Sequence, residues 1–287
     1  MTEMTGKIIA LIDGSVYSES VCHHAAWISK ATGAPVELVH VLGRAEGTGN
    51  RDLSGSIRLG ARTALLQELA DLDAQRAKLV GQRGRAILED ARAIVDQDGV
   101  TEITTRLRHG DVVEAIAEIE EDARVILIGK RGEDADFAKG HLGSNLERIV
   151  RAAHRPVFVA SRAFRPIEKV LVAYDGGRSA MKAVDHIARS PLFSGLSVTV
   201  VTVGPDTPET RKGLEDARAL LKAAGITADT RIVEGRPDDV LGKLVDTEGF
   251  DMLVMGAYGH SRIRSLVIGS TTTEMVRSCK VPVVLMR

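Results

Sequence analysis

The chain has 287 residues, enough for about two domains at roughly 150 residues each. Hydrophobic residues make up 44% and charged residues 27%, the balance of ordinary folded domains, which excludes wholesale disorder. Lys and Arg total 38 against 39 Asp and Glu, a net charge of -1, and aromatics are only 3%, so the positive field and stacking surface of a nucleic-acid binder are both missing. The longest apolar runs, such as Val125 to Ile128 and Val281 to Met286, have the length of buried strands and fall far short of a membrane span. Met1 to Lys7 leads into a short apolar run with no basic leader, so the expectation is a cytoplasmic protein with no membrane partner. Cys22 and Cys279 sit in no metal-ligand spacing and read as buried thiols rather than a disulfide framework.

From the amino terminus, short apolar runs alternate with amphipathic stretches. Strands are expected at about Ile8 to Ile12, Val36 to Val41, Glu102 to Leu107, Val125 to Ile128 and Val157 to Ala160, with Val21, Ala25 and Ile28 on one face of the first helix. The pattern then starts again. Lys7-Ile-Ile-Ala-Leu-Ile-Asp13-Gly-Ser15 returns as Lys169-Val-Leu-Val-Ala-Tyr-Asp175-Gly-Gly177, and Arg155-Pro-Val-Phe-Val159 parallels Val281-Pro-Val-Val-Leu285. The second set of strands is expected at about Val170 to Tyr174, Val198 to Val203, Thr230 to Val233, Met252 to Met255 and Val283 to Met286. Each half therefore reads as βαβ units building a parallel sheet with helices on both faces, in an α/β fold of two tandem domains.

The halves differ in one respect. The first carries 35 more residues than the second between its second and fourth strands. Leu65, Leu66, Leu69 and Leu72, then Ile87, Leu88, Ala91, Ile94 and Val95, keep a helical period there. Gly81 and Gly84 suggest a break, so a helical hairpin or two helices are expected over about 44–98, after a glycine-rich loop from Gly43 to Gly60. The insertion reads either as a lid or interaction arm, or as extra cover for the core. The domain boundary is placed near Arg162 to Pro166, giving domains 1–164 and 165–287.

In an open parallel sheet, ligands bind beyond the carboxyl ends of the strands, where strand order reverses. Asp13 and Asp175 stand after the first strand of each half. Glycine loops follow the fourth: Gly129-Lys-Arg-Gly132 in the first half and Gly256-Ala-Tyr-Gly259 in the second. After nine intervening residues from Gly259, Gly269-Ser270-Thr271 opens a helix. Glycines let backbone N–H groups approach a phosphate, and a helix start adds partial positive charge.

This Gly-x-x-Gly, nine residues, Gly-Ser/Thr pattern, with an Asp after the first strand, resembles the ATP-binding members of the universal stress protein family. The resemblance spans both halves. It implies two Rossmann-like domains with strand order 3-2-1-4-5. It further implies that Asp175 holds the adenosine end, that Val203 lies beside the adenine, and that Gly256, Gly259, Gly269, Ser270 and Thr271 line ribose and phosphates. The matching first-half positions are Asp13, Val41, Gly129, Gly132, Gly143, Ser144 and Asn145. That half departs from the pattern, with ten residues between Gly132 and Gly143, Asn145 in place of Thr271, and Glu133, Asp134 and Asp136 in the loop where the second half has Arg262 and Arg264. Carboxylates there repel a triphosphate, so nucleotide is expected mainly in the second half. Single-domain members of the family pair through their last strands, which implies a pseudo-dimer within one chain and leaves a further homodimer possible.

The expected function is a stress-response regulatory protein that binds ATP or AMP, with Mg²⁺ as an open accompaniment and an unidentified protein partner. No general base, Walker loop or paired Mg²⁺ carboxylates can be found, so no catalytic or metal-ligating residue is assigned. At most, slow ATP hydrolysis or self-phosphorylation on Ser270, Thr271 or Thr272 is compatible with the sequence. Two alternatives stand beside this reading. One is a nucleotide-free interaction scaffold. The other is an ATP pyrophosphatase-type enzyme, whose Ser-Gly-Gly-x-Asp-Ser loop Asp175-Gly-Gly-Arg-Ser179 partly resembles. The histidines read as ordinary structural or solvated residues: His23 and His24 diverge on a helix, His40 and His109 end strands, and His260 follows Gly259.

Overall fold

A computed structural model describes residues 6–43, 59–132, 144–257 and 270–287, without the side chains of 59–64 and 144. The first half runs β1 (Lys7–Leu11), α1 (Ser18–Thr32), β2 (Val36–Leu42), α2 (Leu59–Gln97), β3 (Ile103–His109), α3 (Val112–Ala117), β4 (Ala123–Gly129), α4 (Ser144–Ala152) and β5 (Val157–Ala160). The second runs β6 (Lys169–Ala173), α5 (Arg178–Arg189), β7 (Ser197–Val203), α6 (Pro208–Ala223), β8 (Ala228–Val233), α7 (Pro237–Glu248), β9 (Met252–Gly256), α8 (Ser270–Ser278) and β10 (Val283–Met286). Local chemistry sets several helix starts. Asp111 accepts hydrogen bonds from the backbone N–H of Val113 and Glu114 ahead of α3, and Thr207 accepts from that of Thr210 with Pro208 at the first position of α6.

The strands form one ten-stranded sheet in the order β3-β2-β1-β4-β5-β10-β9-β6-β7-β8. Read from its outer edge, each half is 3-2-1-4-5. All pairs are parallel except β5 with β10, which pair antiparallel with Val283 opposite Val159 and Leu285 opposite Val157. The halves thus share a sheet, and each covers an edge the other would leave open.

Because the strands are buried on both faces, they read as near-continuous apolar runs. Helices α1, α2, α5 and α6 cover one face, with Ile8, Leu38, Phe158, Val170 and Val200 in that core. On the other face lie Ile9, Ile126, Leu171 and Leu253, against residues of α3, α4, α7 and α8. Polar contacts add to the join between the halves. Lys130 Nζ donates to the Cys279 carbonyl at 2.6 Å, and Arg287 donates to the Arg151 carbonyl at 3.0 Å at the end of α4, where a cation is favoured.

The insertion differs from the expected hairpin. It forms a single helix of 39 residues, α2, which runs through Gly81 and Gly84. The reason lies in packing. A Cβ on Gly84 would stand 2.8 Å from Leu107 Cδ1 and 3.0 Å from His40 Cδ2, so glycine here lets the helix approach β2 and β3 closely. Buried Gly81, Gly84, Leu88, Ala91 and Val95 follow a regular three-and-four spacing along that face. The segment 44–58, and with it most of the glycine-rich loop, lies outside the described residues.

Candidate functional site

The crevice at which strand order reverses lies beside the first strand of each half: β1 pairs with both β2 and β4, and β6 with both β7 and β9. Helices on opposite faces diverge there, leaving room beyond the carboxyl ends of the strands. In the second half, Asp175 stands just past β6 and Gly256 ends the neighbouring β9. Val203 ends β7 on the other side of β6 and is half-buried. These three expected site residues therefore meet at one crevice.

Backbone geometry explains the glycines. A Cβ on Gly256 would come within 2.9 Å of Ser179 Cβ and 3.2 Å of the Ala180 backbone nitrogen, so its absence lets the start of α5 close against β9. Asp175 Oδ1 accepts from the Gly177 N–H at 2.8 Å, folding the loop into an Asx turn around Gly176 at φ 76°. Gly177 is the N-cap of helix α5 and supplies no side-chain cap to its first N–H groups.

At the start of α8, Ser270 is exposed and Thr271 half-buried. Thr272 is different: it is 3% exposed, and its hydroxyl donates to the carbonyls of Gly256 at 3.3 Å and Ala257 at 3.4 Å. It ties helix to strand, which withdraws it from the three hydroxyls considered as phosphoryl acceptors. Gly259, His260, Arg262, Arg264 and Gly269 lie outside the described residues.

The first-half crevice is built from the corresponding parts but is more closed. Asp13 Oδ1 accepts from the Ser15 N–H at 2.9 Å and the Ser18 hydroxyl at 3.1 Å. A Cβ on Gly132 would lie 3.2 Å from Asp13 Oδ2, so the glycine loop rests on this carboxylate. Gly129 similarly packs against Tyr17, with 2.7 Å between its would-be Cβ and that of the tyrosine. Ile87 of α2 presses on Gly14, where an added Cβ would meet its Cδ1 at 2.9 Å, whereas among the described residues nothing comes within 4 Å of the matching position on Gly176. Val41, the penultimate residue of β2, is half-buried, and Asn145 is exposed in the first turn of α4, which begins at Ser144. Gly143 and the acids Glu133, Asp134 and Asp136 lie outside the described residues.

Ser15, Ser18 and Ile87 are local participants that the motif comparison passed over. The Asp13-Gly-Ser-x-x-Ser18 spacing signals the first two, since short hydroxyls a few residues past an Asp build turns with it. Ile87 could not be placed without knowing how deep α2 sits. Ser179, part of the pyrophosphatase-like loop, is buried against Gly256 and serves packing.

The histidines take structural places. His40 Nδ1 lies 2.5 Å from the Ile12 carbonyl, and His23 Nδ1 2.6 Å from Asp98. His24 is buried between Phe158 and Phe164, with ring centroids at 5.0 and 4.9 Å. Burial pushes the Cys22 thiol up to about 12 and raises that of Cys279, so neither is a ready nucleophile. Among the described residues no three His, Cys, Asp or Glu side chains cluster as a metal site, and no helix is long and apolar enough to cross a membrane.

Two Rossmann-like halves with glycines at their crevices, joined edge to edge through their last strands, define a tandem α/β protein. Comparison with known proteins places it further: the chain belongs to the universal stress protein family, whose model matches residues 4–161 and again 166–287. Universal stress protein Slr1230 from Synechocystis is 35% identical over 285 residues, covering 98% of this chain and 99% of its own. Among solved structures, a universal stress protein from Archaeoglobus fulgidus aligns over 100% of this chain and 99% of its own, with a TM-score of 0.74 at 20% identity. A putative universal stress protein from Pseudomonas aeruginosa aligns over 98% and 93%, with a TM-score of 0.63 at 17% identity. At those identities the two structures speak for the fold.

Proposed function

We propose that this chain is a regulatory protein that binds an adenine nucleotide, ATP or AMP, in the crevice of its second half. The observation that carries the reading is the difference between the crevices. Among the described residues nothing crowds Gly176 in the second, while Ile87 fills the matching space in the first. In the second crevice the Asp175 carboxylate accepts from the adenosine moiety and half-buried Val203 gives the base an apolar wall. Phosphates lie toward Gly256, Gly259, Gly269, Ser270 and Thr271, where backbone N–H groups and the start of α8 supply positive potential.

The role proposed is binding, and occupancy acts through the start of α8. That helix leads to Cys279, whose carbonyl accepts from Lys130 of the first half, which gives nucleotide a route to partner choice. Calorimetric titration of ATP and AMP tests the proposal on wild type, Asp175→Asn and Asp13→Asn. Asparagine keeps the acceptor of the Asx turn while removing the charge. Asp175→Asn is expected to weaken binding about tenfold, the scale of a charge-assisted hydrogen bond, and Asp13→Asn to leave it unchanged. Equal effects at both positions, or none at either, would refute the assignment to the second crevice.

A further inference from the structure

Building on the nucleotide reading above, we propose that Tyr174 and Thr202 form a two-hydroxyl subsite of the second crevice that hydrogen-bonds the nucleoside part of the ligand. Tyr174 directly follows β6, and its backbone N–H donates to the Val201 carbonyl at 2.8 Å, which carries the β6–β7 ladder one step further. Because Ala173 pairs with Val201, Tyr174 stands beside Thr202. Both side chains lie on the face of Val172 and Val200, since side chains alternate along a strand.

Neither hydroxyl is satisfied within the chain. Tyr174 is 5% exposed, and its hydroxyl makes no hydrogen bond among the described residues. Thr202 Oγ1 is buried and likewise has no partner there. A buried hydroxyl without a partner forfeits the bond it made with water, so two of them side by side call for a polar group from outside the chain. The first half shows the contrast. Its matching residues are Ile12, which is apolar, and His40, whose Nδ1 lies 2.5 Å from the Ile12 carbonyl, so the one polar side chain is met internally.

The pair also lies at the crevice. Leu88, Ala91 and Val95 of α2 match Leu214, Ala217 and Leu221 of α6 in spacing and core placement, so Ile87 and Gly213 hold corresponding positions. Ile87 extends over Gly14. A Cβ on Gly213 would stand 3.3 Å from Tyr174 Cε1 and 3.5 Å from its hydroxyl oxygen, so the phenol reaches the spot from which Ile87 covers the first crevice, and the helix puts no side chain there. Chemistry then selects the nucleoside over the phosphates. Burial, then the Asp216 and Asp175 carboxylates, push the Tyr174 phenol up, so it stays protonated, and the same carboxylates repel a phosphate. Helix α8, whose start is the expected phosphate end, packs on the opposite face of the sheet. An uncharged ribose or base, whose hydroxyl and amino groups give and take hydrogen bonds, suits the two hydroxyls.

Calorimetric titration of ATP, AMP and adenosine into the full-length wild type, Tyr174→Phe and Thr202→Val tests the subsite, with a thermal melt of each protein. Tyr174→Phe is expected to weaken all three ligands by the same factor, roughly fivefold, the scale of one neutral hydrogen bond, and Thr202→Val to act in the same direction. Neither should lower the melting temperature, because each removes a hydroxyl that has no partner in the chain. Wild-type binding with unchanged affinity in either variant would overturn the two-hydroxyl subsite and leave the nucleotide reading standing. Weakening confined to ATP and AMP would place the contact at phosphate, and a lower melting temperature alongside the weaker binding would make the role structural; both count against the proposal. Absence of binding in wild type would overturn both readings together.

Discussion

His24 on α1 and His186 on α5 occupy matching places in the two halves, and burial holds both near 4, well below the ordinary 6.5 of imidazole. His24 Nδ1 lies 2.7 Å from the Ser20 carbonyl, and its buried Nε2 has no partner among the described residues. A depressed histidine pKa means that the unfolded chain takes up the proton first. Stability from the neutral rings is whole above pH 6.5 and is lost as the pH falls toward 4, by on the order of 3 kcal/mol for each ring over the full range. Thermal melts across that window should show a steep acid limb, and His24→Phe should make it shallower. A limb of equal slope in the variant would remove His24 from the acid response. Gly84 gives a second residue-scale expectation. Gly84→Val drives side-chain atoms into Leu107 and His40, and should cost on the order of 2 kcal/mol by denaturant titration, with Gly81→Ala nearly neutral.

At the level of elements, the strands and their repeat were legible in sequence because strands buried on both faces show as unbroken apolar runs, such as Val125 to Ile128. Strand ends were less clear. β3 extends to His109 rather than Leu107, and β8 begins at Ala228 rather than Thr230, since polar residues at a strand's end carry no periodic signal once they pair with a neighbour. The main difference was α2. Two glycines look like a break when only propensity is weighed, but at Gly84 the missing side chain lets the helix pack closely, and tertiary contact outweighs the local cost. Asp13, Asp175, Gly129 and Gly256 could be placed at strand ends from the repeat alone. The contrast between an open Gly176 and a covered Gly14 could not, because Ile87 lies 73 residues from Gly14 in sequence and reaches it only through the folded sheet. Ile87→Ala should therefore open the first crevice. If α2 is what closes it, the variant gains a second nucleotide stoichiometry in titration; unchanged stoichiometry would lay the difference on the loop acids instead.

For the whole molecule, the antiparallel β5–β10 pair makes one sheet of two duplicated halves. Core residues from both halves belong to the same clusters on each face, so the two cores run together through the join. A single calorimetric unfolding transition is expected for the full chain. Val159→Asp, placing a charge at a position 2% exposed in that pair, should lower it as a unit rather than split it; two transitions in wild type would show that the halves unfold separately. Nucleotide carriage by the second half of this joined molecule, as proposed, is tested most directly by mass spectrometry of the small molecules released when the purified protein is denatured, for wild type beside Gly269→Val. The valine adds bulk where the motif brings backbone toward phosphate. ATP or AMP released from wild type and absent from the variant is the expected result, whereas equal release from both, or none from wild type with no ATP binding on titration, would contradict it.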